Sequence, residues 1–135
     1  MVETWPVSNV IVDSRHHFWD ISKMNYFWMP TGESTVMRNY LPSDLASNLE
    51  AAGVTRTVLV QANQTQKEAI FLLDLADAAE FVAGVVVWAD LQASDIGQVL
   101  DELLRRDKLV GVRHDPDDDW LIRDSSMRGL RMLAE

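Results

Sequence analysis

No cysteine occurs in the sequence, which excludes a disulfide framework and a thiolate metal site and leaves histidine and carboxylate as the side chains able to hold a metal. That suits a reducing compartment, and a cytoplasmic location is the expectation. Basic residues are also few and scattered: 12 Lys and Arg stand against 21 Asp and Glu, for a formal net charge of -9. No basic stripe exists to neutralise phosphates or to rest on an anionic membrane, so neither nucleic acid nor a membrane is an expected partner. Long apolar runs are missing too. No segment approaches the roughly 20 apolar residues of a membrane span, and Met1 to Asn9 lacks the positive region and apolar run of an export signal. What is present is a 47% hydrophobic composition over 135 residues, enough to build the core of one ordinary domain.

Four short runs rich in β-branched and apolar residues recur, at Val10 to Val12, Thr57 to Val60, Val82 to Trp88 and Leu109 to Val112. Near-continuous apolar character predicts buried parallel strands and not a one-sided antiparallel sheet. Between them lie stretches of helical periodicity. Pro42-Ser43-Asp44 opens one that turns Leu45 and Leu49 inward and stops at Gly53. Thr65-Gln66-Lys67-Glu68 has the form of a capping box, followed by Ile70, Leu72, Leu73, Leu75 and Ala76 as a buried stripe. Ser94 and Asp95 precede Ile96, Val99, Leu100, Leu103 and Leu104, with Arg105, Arg106 and Lys108 placed where a helix dipole favours cations. A fourth helix is predicted from Asp124 or Ser125, carrying Met127, Leu130 and Leu133.

Alternation of strand and helix demands a parallel sheet with right-handed crossovers, either a doubly wound open sheet or a closed eight-stranded barrel. A dinucleotide-binding open sheet wants a glycine-rich turn after its first strand, and Asp13 to Asp20 contains no glycine. The expected class is therefore α/β, with four β/α units of a TIM-type (β/α)8 barrel. A whole barrel takes roughly 250 residues. Residues 1–135 are accordingly expected to form one partial barrel domain holding strands one to four, with strands five to eight absent. A four-stranded half leaves apolar edges, so a complementary half-barrel or self-association is the expected macromolecular partner.

Active sites of parallel α/β folds form at the carboxyl ends of the strands. Polar groups follow all four runs: Asp13, Arg15, His16 and His17; Gln61 and Asn63; Trp88 and Asp90; Arg113 and His114. All three histidines sit at such ends, and convergence from several strands points to a site for a small molecule, whereas one alone would more often be structural. Arg113 offers a planar fork for a carboxylate or lactone oxygen, or an ion pair with Asp90 or Asp13. His114 can assist proton transfer, Gln61 can bond a substrate hydroxyl or a neighbouring strand, and Trp88 can stack on a sugar or pack in the barrel. Trp19 is a further substrate-binding candidate. The connection from Asp20 to Leu41 holds Tyr26, Phe27, Trp28 and Pro30, which either cover the site, plug the barrel mouth or meet another subunit. Asp115 to Asp119 lacks the alternating ligands and glycine of a calcium loop and reads as a solvated turn.

The segment Val12-Asp13-Ser14-Arg15-His16-His17-Phe18-Trp19-Asp20 resembles the opening of the amidohydrolase-related (amidohydrolase 2) family, in its branch of fuconolactonase-like and rhamnonolactonase-like sugar lactonases. The likeness continues through Asn39-Tyr40-Leu41-Pro42-Ser43-Asp44-Leu45, Thr57-Val58-Leu59-Val60-Gln61-Ala62, Phe81 to Leu91 and Leu109-Val110-Gly111-Val112-Arg113-His114. It implies a barrel hydrolase of a lactone, ester or amide, with a divalent metal such as zinc in the intact family fold and further metal-binding and catalytic residues on later strands. The family's first-strand pattern is His-x-His. Alignment on Phe18-Trp19-Asp20 puts its second histidine at His17 and its first at Arg15, and a guanidinium has no lone pair for a metal. Three readings stay open: Arg15 polarises a carbonyl or holds a carboxylate without a metal, His17 still binds one with ligands from the other half, or the copy no longer catalyses. The chain alone is expected to be inactive, the alternative function being a non-catalytic binding or assembly module.

Overall fold

The computed structural model describes residues 9–135. Four strands, β1 (Val12–His16), β2 (Arg56–Val60), β3 (Val82–Val87) and β4 (Leu109–Val112), form one sheet in the order β1-β2-β3-β4 with every pair parallel. Helices α1 (Pro42–Ala52), α2 (Gln66–Ala78) and α3 (Ile96–Leu103) make the three crossovers, and a short 3-10 turn (Trp120–Ile122) leads into α4 (Asp124–Ala134). Because the order never reverses, right-handed crossovers put α1, α2 and α3 on the same face. That separates barrel winding from a doubly wound sheet, whose strand order switches direction.

The core lies between sheet and helices. Leu59, Val82, Val85 and Val87 pack against Leu72, Leu73, Ala76, Ile96 and Leu100, all buried. Gly53, at a φ of 69°, takes the left-handed conformation that ends α1, as the sequence predicts.

Several boundaries and faces differ from expectation. The first strand begins at Val12 and runs to His16, later than the apolar run Val10 to Val12, because pairing with β2 extends through the polar residues. Ile70 and Leu104 are exposed, at 46% and 69%, while Ala69 takes the inward place. Helix α3 stops at Leu103, so Arg105, Arg106 and Lys108 lie beyond it. The cations serve α2 instead: Arg106 pairs with Asp74 and Asp77 at 2.9 and 2.6 Å, and the Lys108 ammonium donates to the carbonyls of Ala76 and Ala79 at its carboxyl end. Helix α4 packs through buried Ser126 and Gly129 and partly buried Leu130, with Met127 and Leu133 more exposed, at 38% and 40%.

Candidate active site

At the carboxyl ends of the strands lies a cleft of about 440 Å³ whose walls include Arg15, His17, Trp19, Gln61 and Arg113. These residues, all singled out from sequence, thus share one space, and Asn63 lines it with them. A register shift falls between Asp13 and His16 in β1. Arg15, within that irregularity, and His17, just past it, both line the cleft, while His16 turns away, its Nε2 2.8 Å from the Thr57 hydroxyl. Burial holds the His16 imidazole below its ordinary value of 6.5, against the raising influence of Asp13.

His17 has a defined tautomer. Its Nδ1 lies 2.8 Å from the Val60 carbonyl oxygen, which can only accept, so Nδ1 carries the proton and the lone pair of the neutral ring is on Nε2. Neither Arg15 nor Arg113 forms an ion pair among the described residues, where the paired arginines are Arg38, Arg106 and Arg123. The expected alternative for Arg113, a pair with Asp90 or Asp13, is not formed. Among the described residues both guanidinium forks are therefore open to a ligand, and with Arg15 on β1 and Arg113 directly after β4, the two outermost strands, they approach the cleft from opposite sides.

The aromatic wall comes from the β1–α1 connection. Trp19 is fixed by its indole N–H, which donates to the carbonyls of Arg38 and Val36 at 2.9 and 3.2 Å, and its ring meets Trp28 edge to face at 5.3 Å between centroids. Trp28 and Phe27 line the cleft, whereas Tyr26 is buried beneath them, its hydroxyl pushed up to about 12 by desolvation. Of the readings left open for this segment, covering the site is the one the geometry meets.

Trp88 and His114 are placed elsewhere. The Trp88 indole donates to His114 Nδ1 at 3.1 Å, and the His114 ring stacks on buried Trp120 with centroids 4.6 Å apart. Adjacent residues of an extended chain face opposite ways, so Arg113 entering the cleft carries His114 out of it. Conversely, sequence reasoning passed over Gln64 and Asp115. They join in a bond from the Asp115 backbone N–H to Gln64 Oε1 at 3.0 Å, and both line the cleft. Only the meeting of two distant loops reveals them; the acidic run by itself reads as solvent-facing, and Asp117 to Asp119 are indeed exposed.

Parallel strands in sequential order, helices on one face and a polar cleft at the strand ends define part of a (β/α) barrel of the enzyme-bearing kind. The profile of the amidohydrolase family matches residues 12–135. The sequence is 38% identical over 114 residues to an L-fucono-1,5-lactonase of Burkholderia ambifaria and 35% identical over 112 residues to one of Burkholderia multivorans. These alignments take in 82% and 83% of this chain, and 39% and 38% of the relatives. Among solved structures, an amidohydrolase from Burkholderia multivorans crystallised with zinc superposes with a TM-score of 0.81 at 32% identity, over 90% of this chain and 44% of that one. A probable 2-pyrone-4,6-dicarboxylic acid hydrolase from Acinetobacter baumannii shares the fold at a TM-score of 0.64 and 16% identity. The chain belongs to the amidohydrolase family and forms the N-terminal half of its barrel, spanning less than half the length of the relatives it matches.

A divalent metal does not fit the residues present. No group of three or more His, Asp or Glu able to hold one occurs among the described residues. In the cleft His17 offers one lone pair, and the neighbouring position on the same wall is Arg15, a fixed cation that repels a metal ion. No helix of the described residues is long and apolar enough to cross a membrane.

Proposed function

We propose that this cleft hydrolyses a small sugar lactone or a related ester as part of a whole (β/α)8 barrel in the cytoplasm. Residues 1–135 are its partial domain, and a complementary half supplies strands five to eight. The observation that carries this is the placement of Arg15 beside His17 in a cleft that also holds the unpaired fork of Arg113. Hydrolysis of a lactone puts a developing negative charge on the carbonyl oxygen as water adds to the carbon. A fixed guanidinium at that oxygen lowers the barrier without a metal. Arg15 takes that role, and Arg113 anchors a hydroxyl or carboxylate oxygen from the other side through two parallel N–H bonds. Gln61 and the amides beside it bond ring hydroxyls, and Trp19 presents an apolar face to the sugar. His17 Nε2 accepts a hydrogen bond from the attacking water or a hydroxyl. Expulsion of the ring alkoxide then opens the lactone to a hydroxy acid, with the general base supplied by the other half.

Likeness to the two L-fucono-1,5-lactonases supports the substrate class. The test is proton release from L-fucono-1,5-lactone by the chain together with its complementary half, with and without chelator. Turnover is expected to survive chelator and to fall at least 100-fold in Arg15→Ala, the scale of losing one oxyanion donor. Chelator-sensitive turnover in the unaltered protein would overturn the metal-free role of Arg15. A second reading, a binding module without turnover, is favoured by Trp88 and His114 lying outside the cleft. Retained sugar-acid binding with no hydrolysis in any form would establish it instead.

A further inference from the structure

Three contacts tie the β1–α1 connection to the turn between β2 and α2 and to the first turn of α2. The Trp28 indole donates to the Ala62 carbonyl at 2.7 Å, the Asn63 side-chain amide donates to the Asn25 carbonyl at 2.9 Å, and the Lys67 ammonium donates to the Lys23 carbonyl at 2.8 Å. The turn is gripped from the opposite side by Glu68, which is wholly buried. Its two carboxyl oxygens accept the backbone N–H groups of Ala62 and Asn63 at 2.9 and 2.6 Å.

The Ala62 carbonyl and the Asn63 N–H belong to one peptide unit. That unit is planar and trans, so its carbonyl and N–H point in opposite directions and cannot turn independently. One end faces Trp28 in the cleft wall and the other faces Glu68 in the core. A carboxylate gripping the N–H therefore sets where the carbonyl points, and the carbonyl sets where the indole sits. The bond matters because Trp28 is 41% exposed and, besides its edge-on ring contacts with Trp19 and Tyr26, the Ala62 carbonyl is the hydrogen-bond partner of its indole among the described residues.

We infer that Glu68 is a positioning residue for the cleft: through the Ala62–Asn63 peptide it fixes Trp28, and with it the aromatic wall, without touching a ligand itself. What Trp28 would contact rests on the lactone-site reading above; the positioning does not. A side chain used locally as a helix-capping group would have no effect on an indole in another segment, so the two ideas part experimentally.

The test reads Trp28 and the Asn63 amide directly and needs no turnover, so its failure is distinct from failure of the proposed activity. In Glu68→Gln one oxygen is replaced by an N–H donor that opposes a backbone N–H. Acrylamide quenching assigned to Trp28, by difference from Trp28→Phe, is expected to rise at least twofold. Exchange of the Asn63 amide hydrogen should quicken at least tenfold while Leu72 in α2 keeps its protection. The double variant Glu68→Gln/Trp28→Phe should quench like Trp28→Phe alone. Faster Asn63 exchange with unchanged Trp28 quenching would overturn the inference, leaving Glu68 a purely local cap. Should Glu68→Gln fail to fold, Trp28→Phe alone carries the test, since it removes only the bond to the far end of the peptide. Asn63 exchange is then expected to quicken about threefold or more, and an unchanged rate would refute the coupling.

Discussion

At the scale of single residues, the buried carboxyl of Glu68 combines two opposed effects. Desolvation raises it from an ordinary 4.5 to about 7, outweighing the two backbone N–H groups that favour its charged form. The folded chain thus holds a proton through a pH range in which the unfolded chain has released it, so stability falls as pH rises from about 4.5 to about 7 and is level above. At about 1.4 kcal/mol per tenfold change in proton affinity, the loss is on the order of 3 kcal/mol. His16 works in the other direction: its lowered value makes stability fall as pH drops below 6.5, because the unfolded chain takes the proton first. Urea unfolding of the unaltered chain and of Glu68→Gln, each at pH 5 and pH 8, separates the two, since His16 is common to both. The unaltered chain should lose a few kcal/mol more than the variant between those pH values; parallel losses would show that Glu68 does not titrate there. In the sequence Glu68 reads as the return half of a capping box. Thr65 does accept its backbone N–H at 3.2 Å, but the carboxylate bonds Ala62 and Asn63, as the path of the turn before the helix dictates.

At the scale of elements, periodicity located all four helices, yet it misjudged which residues face inward wherever a small residue makes the contact. Helix α4 is the clearest case. Of the expected stripe Met127, Leu130 and Leu133, Leu130 does pack against the core, but the closest approach is made by Gly129, where a β-carbon would lie 1.9 Å from the Leu91 carbonyl oxygen. That atom is backbone and cannot step aside. Gly97 in α3 is the contrast: a β-carbon there meets nothing closer than the Met132 sulfur at 3.6 Å. Gly129→Ala should destabilise the chain by about 3 kcal/mol, the upper end of overpacking costs. Gly97→Ala should stabilise it by about 0.5 to 1 kcal/mol through helix propensity. Thermal unfolding of the two variants checks both, and a Gly129→Ala chain as stable as the original would mean that α4 is not seated against Leu91. The cations after α3 carry the same lesson, for their role depends on Arg106 and Lys108 reaching the end of α2, a contact between elements that local spacing cannot report.

At the scale of the whole chain, the winding was legible because it follows from alternation alone: four apolar runs separated by helices permit few arrangements, and the absence of a glycine-rich turn removed the main competitor, although burial was expected of all four runs and is met only in β2 and β3. Of the candidate site residues taken from strand ends, Arg15, His17, Gln61 and Arg113 line one cleft, whereas Trp88 and His114 pair with each other outside it, a difference of side-chain direction that position along the sequence does not report. The same winding leaves both outer strands unpaired among the described residues. β1 opens on exposed Val12 and is preceded by exposed Val10 and Ile11, and β4 exposes Val110 at 61% beside Leu104 and Leu133. Unpaired strands with apolar side chains are templates for pairing with another chain, and at the usual ~25 cal/mol per Å² even a few hundred Å² of such surface favours covering by several kcal/mol. The 135-residue chain expressed alone should therefore self-associate, eluting above monomer size and shifting further with concentration. Ile11→Lys/Val110→Lys, one charge on each edge, should move it toward monomer without altering the core between sheet and helices. Light scattering on both proteins decides: a concentration-independent monomer for the unaltered chain would mean that its edges are covered in solution, and unchanged association in the variant would place the contact on another face.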